Sequence, residues 1–224
     1  MGTPMLSLLP TGLPSGATGV ARRVLDGLTE VVDDHRLLQA LADALLDTHP
    51  GYGSMWHIAR AAYADDPGPA LREIRERLDI DVDRSVTVAI KMLLERGGAV
   101  RTAPSSSLVK AVVAALPAGS VDQTTAAPGP RAGATVPDVA CTGLVGADAI
   151  SPTTVLNIRG TLELARSMPT IVVTTSLKLV PENVFERLGS PTFERIPLHL
   201  FHAVVLDGEV VNPAEAGRRA SALG

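Results

Sequence analysis

Apolar side chains recur every three or four residues through the first 96 residues, which is the spacing of amphipathic helices. The pattern predicts a first helix from Thr18 and a second that ends near Pro50, because proline cannot continue a helix. Three more helices are predicted from apolar positions within 55–63, 71–78 and 82–94. Gly97-Gly98 then provides a helix stop. We therefore predict that residues 1–96 form a helical bundle, in which consecutive helices bury their apolar faces against one another.

The second half alternates short apolar strands with helices, which is typical of α/β domains. Predicted strands lie at 99–103, 144–145, 169–176 and 203–206, with helices starting near 108 and 161. The β-branched run Pro169–Ser176 has the composition of a buried parallel strand. The pattern therefore divides the chain into a helical domain over 1–96 and an α/β domain over 97–224.

Composition narrows the classes of function. With 46% hydrophobic residues and a mean hydropathy of +0.22, the chain can bury a core. A formal net charge of −4 gives no basic face for a nucleic acid. No apolar run reaches the ~18 residues of a membrane span, and the start of the chain is a poor signal peptide. One cysteine excludes an internal disulfide framework and suits a reducing compartment, so we expect a cytoplasmic protein.

The candidate site centres on the stretch LVGADAISPTTVLNIRGT. Its apolar strand ends at Gly146, which places Asp148 in the crevice where open α/β sheets bind their ligands. Asn157, Gly160 and Thr161 then open a helix whose free N–H groups can hold an anion. These groups can form a small polar pocket. Turn and helix capping explain the same residues without a ligand.

A serine-rich turn provides a second candidate for anion binding. Ser105, Ser106 and Ser107 follow a predicted strand and precede a predicted helix, so hydroxyls and a helix start are available as donors. Helix capping by serine alone is the alternative. If a small anion binds, we expect the helix starts before Leu108 and at Thr161 to converge around it.

GADAI, a short loop, an asparagine and Gly-Thr resemble the signature of the initiation factor 2B alpha/beta/delta family, which includes methylthioribose-1-phosphate isomerase and ribose-1,5-bisphosphate isomerase. The segment THPGYGSMWHIARAAY and the carboxyl-terminal strand with its acid-glycine turn are similar to the family too. The resemblance covers about Ala17 to Ala216. It implies an α/β fold: an N-terminal helical bundle followed by a Rossmann-like parallel-sheet domain of the NagB/RpiA/CoA-transferase type.

The resemblance also implies a set of site residues. Asp148 takes the catalytic position. The implied ligand and phosphate contacts are Thr102, Ser105, Ser106, Ser107, Gly146, Asn157, Gly160, Thr161 and Lys178. For Lys178, which follows a strand end, a solvated surface lysine is the alternative. We expect no cofactor and no metal ion, since His199 and His202 would face opposite ways on an extended segment.

Several departures from the family weigh against catalysis. Ile158 stands where the family has a lysine between its asparagine and glycine. Ala103 and Pro104 occupy the turn in which the isomerases carry a catalytic cysteine, and neither can shuttle a proton. Cys141 lies seven positions before Asp148, on the opposite face of a continuous strand, and we interpret it as a buried core thiol.

The family's phosphate-binding arginines also lack clear counterparts. An Arg-Gly loop is nearest to Ser15-Gly16-Ala17, after which Arg22 and Arg23 are interpreted as solvated helix residues. The segment 117–137 is rich in Pro, Gly, Ala and Thr, as in a loop or linker, and Arg131 within it is interpreted as solvated. We infer that a βα unit has been shortened or lost here.

Three functions stay open. The chain is a non-catalytic or regulatory relative in the translation initiation factor family that binds a sugar phosphate or nucleotide, an aldose–ketose sugar-phosphate isomerase using Asp148, or a structural subunit with a vestigial pocket. The shortened segment before the Gly-Ala-Asp motif favours the non-catalytic relative and the structural subunit over the isomerase. We expect isomerase activity to be absent or very weak. The expected partners are a small anionic ligand and a second copy of the chain in a homodimer, with no nucleic acid and no membrane.

Overall fold

The computed structural model describes residues 16–103, 106–120 and 141–224. Within the described part of the first half, four helices follow one another: α1 (Gly16–Glu30), α2 (His35–Thr48), α3 (Ser54–Ala62) and α4 (Pro67–Arg96). Asp34 caps α2 by accepting a hydrogen bond from the Leu37 N–H at 3.1 Å. The predicted helical half is confirmed.

Helix α4 corrects one prediction, since the fourth and fifth predicted helices form a single helix of 30 residues. Its buried positions Leu78, Val82, Ser85, Ala89 and Leu93 are spaced by three or four residues, so one buried stripe runs through the expected break. No proline or glycine lies inside the helix beyond its first turn. The helix therefore continues unbroken to its glycine stop.

The second half forms two sheets. Its elements are β1 (Ala99–Thr102), α5 (Ser107–Ala115), β2 (Cys141–Val145), β3 (Ala149–Ile150), β4 (Thr154–Ile158), α6 (Thr161–Ser167), β5 (Thr170–Thr174), α7 (Glu182–Phe185), β6 (Phe193–Pro197), β7 (Ala203–Leu206), β8 (Glu209–Val211) and α8 (Pro213–Ser221). The main sheet has the order β1-β2-β5-β7-β8, parallel except for β8. A small antiparallel sheet has the order β3-β4-β6.

The small sheet differs from the sequence-based expectation. The residues after Asp148 were expected to be a loop, but Ala149–Ile150 and Thr154–Ile158 pair as a hairpin. The Ser151 side chain holds its turn by accepting from the N–H groups of Thr153 and Thr154. Asn157 therefore lies within a strand rather than in a loop.

The helical half packs directly against one face of the main sheet. The largest buried apolar cluster joins residues of α1–α4 to Leu144, Ile171, Val173 and Val205 of the sheet. The two halves of the chain therefore share one apolar core. The division into separate domains over residues 1–96 and 97–224 stays a prediction. Residues 121–140, which include most of the predicted linker, lie outside the described residues.

Ser85 joins α4 to the sheet through buried hydrogen bonds. Its hydroxyl donates to the Thr174 carbonyl and accepts from the Gly208 N–H, both at 3.0 Å. Gly208 lies in the predicted turn after β7, where Asp207 has a positive φ of 51° and its carboxylate accepts from the Ser176 N–H at 2.8 Å. Ser176, which follows β5, is therefore held to the Asp207-Gly208 turn, and that turn is held to α4 by Ser85.

We expect Ser85→Ala to lower the free energy of unfolding by about 1–3 kcal/mol, because it leaves the Gly208 N–H without its acceptor. Urea denaturation measures the change. Thr87→Ala is the matched control, since the Thr87 hydroxyl bonds only an exposed carbonyl one turn back on the same helix. The free energy of unfolding of Thr87→Ala should fall by less than about 0.5 kcal/mol. An equal loss of stability in the two variants would contradict the role of Ser85 in holding α4 to the sheet.

Candidate functional site

The serine turn and the Gly-Ala-Asp loop lie side by side because they follow β1 and β2, which are parallel neighbours. Ser106 caps α5, with its hydroxyl accepting from the Val109 N–H at 3.1 Å. A Cβ built on Gly146 would lie 2.4 Å from the Ser106 hydroxyl oxygen. The glycine therefore leaves the space that Ser106 fills.

A third segment reaches this place from the helical half. A Cβ built on Gly16, at the start of α1, would lie 3.4 Å from the Ser107 backbone nitrogen. The starts of α1 and α5 thus meet beside the Gly-Ala-Asp loop. Together with the end of β5 they enclose a cavity that we call the Asp148 cavity, lined among others by Ser107, Asp148, Thr175 and Lys178.

Lys178 is buried in the Asp148 cavity, with only 3% of its surface exposed. Its ammonium group donates a long hydrogen bond of 3.4 Å to the Ser54 hydroxyl and lies 5.9 Å from the centre of the Tyr52 ring. Burial lowers the pKa of Lys178 to about 8, against the opposing effect of the Asp148 charge. The alternative of a solvated surface lysine is wrong, because α3 and the Tyr52 segment cover the side chain.

Asp148 shares the cavity with Lys178. Burial raises the pKa of Asp148 to about 6, and the Lys178 charge acts in the opposite direction. The backbone around it is fixed, since the Asp148 carbonyl accepts from the Gly53 N–H at 2.8 Å and the Asp148 N–H donates to the Leu156 carbonyl at 2.9 Å. A carboxyl group and an amine that titrate near neutral pH can exchange protons with a bound molecule.

Two hydroxyl groups of the cavity have no hydrogen-bond partner among the described residues. They belong to Ser107 and to Thr175, which is 2% exposed. Buried polar groups are nearly always paired, so each unpaired one indicates a water, an ion or a ligand. The free space of about 10 Å³ is close to the minimum that holds one water molecule.

Further polar side chains lie between Lys178 and α1. The Tyr52 ring lies 6.1 Å from the His49 ring, and burial, together with the Arg23 charge, lowers the pKa of His49. The Arg23 Nε and Nη2 atoms and His49 Nε2 are buried without a described partner. The interpretation of Arg23 as a solvated helix residue is therefore wrong. Arg22 does reach the surface, in an ion pair of 2.8 Å with Asp79.

The structure brings together only some of the predicted site residues. Ser106, Ser107, Asp148 and Lys178 line the Asp148 cavity, and Gly146 contacts its wall through Ser106. Thr102 ends β1 next to this wall but is not among the lining residues. Ser105 lies outside the described residues.

Asn157, Gly160 and Thr161 are not among the residues that line the Asp148 cavity, and the convergence of the α5 and α6 starts stays a prediction. The Asn157 amide donates to the Thr161 hydroxyl at 3.1 Å, so the two side chains bond each other at the start of α6. The Glu194 carboxylate accepts from the Leu162 N–H at 2.7 Å and already occupies the start of α6. The β3-β4 hairpin, which the sequence pattern did not reveal, brings the backbone at Asp148 next to the residue before Asn157, since the Asp148 N–H donates to the Leu156 carbonyl.

Several residues in and around the Asp148 cavity carry little recognisable signal in the sequence. Thr175, which lines the cavity, and Ser54 and Tyr52, which contact Lys178, were not predicted to take part. The signal for Tyr52 and Ser54 lay in GYGS, where small residues surround a tyrosine. A Cβ on Gly53 would lie 3.1 Å from the Lys178 carbonyl oxygen, so the glycine lets α3 start close to the Lys178 backbone without displacing it.

Other candidate chemistry in the described residues is limited. Cys141 starts β2, at the far end of the strand from Asp148, and is half-buried rather than fully buried as expected. His199 and His202 are both exposed. The described residues contain no cluster of three or more His, Cys, Asp or Glu side chains arranged to hold a metal ion. No helix in the described ranges is long and apolar enough to cross a membrane.

Comparisons with known proteins identify the fold. No sequence family and no curated protein matches the chain. The crystal structure of translation initiation factor eIF-2B from Pyrococcus horikoshii OT3 matches with a TM-score of 0.69 and 15% identity, over 96% of this chain and 99% of that one.

Two further structures agree. In the tetrameric eIF2B beta2-delta2 complex from C. thermophilum, the match has a TM-score of 0.73 and 16% identity, over 98% of this chain and 93% of that one. The eIF2B beta structure from Chaetomium thermophilum gives 0.66 and 13%, over 93% and 87%. The predicted fold class is confirmed: the chain has the fold of the eIF2B alpha, beta and delta subunits.

Proposed function

We propose that the protein binds a sugar phosphate or nucleotide in the Asp148 cavity and acts as a regulatory, non-catalytic relative of the eIF2B subunits. The observation that carries this proposal is the buried Lys178 ammonium group beside two unpartnered hydroxyls. A buried cation with unpaired donors around it is stabilised by an anion. A phosphate group supplies both the charge and the acceptor oxygens.

The charges of the cavity set the orientation of the ligand. Its phosphate faces Ser107 and the starts of α1 and α5, whose N–H groups favour anions, and its sugar carbons face Lys178. Its sugar hydroxyls face Asp148, because two anions repel each other. The cavity now has room for about one water molecule, so binding requires its walls to separate. We expect binding to be coupled to a movement of α1 or α5.

A second candidate function is the sugar-phosphate isomerase. Lys178 favours it, because it supplies a group near Asp148 that can take up and release a proton. Against it, Ala103 and Pro104 occupy the turn that carries the cysteine in the isomerases that this sequence resembles. Self-association as a dimer is also part of the proposal; one structural neighbour is a tetrameric complex.

Isothermal titration calorimetry with ribose 5-phosphate, ribose 1,5-bisphosphate and AMP tests the proposed function. We expect at least one of them to bind, and Lys178→Met to weaken binding about 10-fold or more, since an ionic hydrogen bond is worth about 1.5–3 kcal/mol. Lys91→Met is the matched control, because Lys91 is exposed on α4. No binding at millimolar concentrations, or equal affinities of both variants, would contradict the proposal. Isomerase turnover of about one per second or faster, lost in Asp148→Asn, would instead establish the second candidate.

A further inference from the structure

We propose that Lys178 forms an imine with the carbonyl group of an open-chain sugar phosphate, and that Asp148 transfers the protons that this condensation requires. The proposal rests on the proposed function, since the sugar phosphate must first bind in the Asp148 cavity. Imine formation restricts the ligand to a sugar phosphate with a free aldehyde or ketone group. Binding of a phosphate group alone does not require such a carbonyl.

The surroundings of Lys178 leave its amine available. Among the described residues it forms no salt bridge within 4.0 Å, and its one hydrogen bond, to Ser54, is long at 3.4 Å. The charged and titratable groups that face it are Asp148, Tyr52 and, more distantly, His57. An amine held inside a small cavity next to an acid, rather than paired on the surface, is the arrangement of an imine-forming lysine.

Burial also provides the reactive form of the amine. Because the pKa of Lys178 is lowered to about 8, roughly a quarter of it is neutral at pH 7.5, against about 0.1% for an ordinary lysine. The pKa of Asp148, raised to about 6, lies close enough to neutral for the carboxyl to give and take protons. The two groups are therefore matched to proton transfer near physiological pH.

The condensation balances within these groups. The neutral Lys178 nitrogen forms a bond to the carbonyl carbon while the carbonyl oxygen takes a proton from Asp148, and the nitrogen then returns a proton to the carboxylate. A second transfer from Asp148 releases the hydroxyl group as water as the carbon–nitrogen double bond forms. The protonated imine then returns its N–H proton to the Asp148 carboxylate. The products are therefore a neutral imine and one water molecule, and Asp148 regains its starting state without any oxidant or reductant.

Reductive trapping tests this chemistry with few competing sites, because the chain contains three lysines, Lys91, Lys110 and Lys178. The full chain is incubated at pH 7.5 with ribose 5-phosphate and sodium cyanoborohydride, and adducts are mapped by peptide mass spectrometry. Both Lys91 and Lys110 are exposed and serve as internal controls. We expect at least ~100-fold more adduct at Lys178 than at either, following the difference in neutral amine.

Two variants and one compound sharpen the test. Lys178→Arg should abolish the preferred adduct, and Asp148→Asn should slow its formation by about 100-fold or more, the usual effect of a proton-transfer group. Ribitol 5-phosphate, which lacks a carbonyl, should bind in calorimetry and leave no adduct. If ribose 5-phosphate binds but the adduct is absent or spread evenly over the lysines, imine formation is overturned while the proposed function stands. If no sugar phosphate binds and no adduct forms at Lys178, both are overturned.

Discussion

Replacing Asp148 with Asn and Lys178 with Met together is expected to leave the protein as stable as the wild type or more stable by about 1–4 kcal/mol at pH 7. Both groups are ionised there in a cavity that opposes their charges, as their pKa values of about 6 and about 8 indicate. Well-packed neutral residues in place of a buried ion pair often stabilise a protein by this amount. The wild-type pair is therefore retained at a cost to stability.

The pH dependence of this difference has a definite sign. The pKa of Asp148 is raised in the folded state, so its stabilising contribution is present below pH 3.8 and is lost as the pH rises to about 6. The pKa of Lys178 is lowered, so its contribution is present above pH 10.5 and is lost as the pH falls to about 8. Each shift of more than two units corresponds to roughly 3 kcal/mol. The advantage of the double variant should be largest between pH 6 and 8 and shrink by about 3 kcal/mol toward pH 4.

Urea denaturation of wild type and double variant between pH 4 and 9 measures this difference directly, because the other titrating groups cancel. Lys91→Met/Glu95→Gln is the control pair, whose charged atoms lie 3.8 Å apart on the exposed face of α4. Its effect should stay below about 0.5 kcal/mol and not vary with pH. A double variant that is destabilised by 2 kcal/mol or more at pH 7, or a difference that is flat with pH, would contradict the electrostatic account of the cavity.

Much of the fold follows from local patterns in the sequence. The α1–α3 helices, the serine-capped α5 and the strands β1, β2, β5 and β7 were each predicted from apolar spacing and turn residues. The meeting of the serine turn with Asp148 also follows, since adjacent parallel strands end at one edge of a sheet. The hairpin β3-β4 did not, because β3 has only two residues and its turn, SPTT, looks like a loop.

The burial of Lys178 could not be predicted from the residues around it. Its hydrogen-bond partner Ser54 lies 124 positions earlier in the chain, and the other cover comes from Tyr52. A strand end followed by a lysine normally indicates a surface charge. Only the packing of the helical half onto the sheet encloses this side chain, and that packing depends on long-range contacts without a local signal. The same contacts explain why Thr175 was not predicted.

Gly146→Ala is expected to lower the free energy of unfolding by about 2–4 kcal/mol and to weaken ligand binding. The new methyl group would lie 2.4 Å from the Ser106 hydroxyl oxygen and 2.5 Å from its Cβ, so the serine must move. Overpacking typically costs about 1–3 kcal/mol. Displacing Ser106 also removes its bond to the Val109 N–H, and a lost helix cap costs about 1 kcal/mol more.

A second change at the contact distinguishes this mechanism from a general loss of packing. Ser106→Gly in the Gly146→Ala background removes the clashing atoms, and glycine at a helix cap costs only a few tenths of a kcal/mol. The double variant should therefore recover most of the lost stability in urea denaturation. Because Ser107 and the start of α5 then return to the cavity wall, affinity for the sugar phosphate should recover as well. Stability losses that simply add in the double variant would show that the Gly-Ala-Asp loop and the serine turn are not in contact, and that the Asp148 cavity is not built as described.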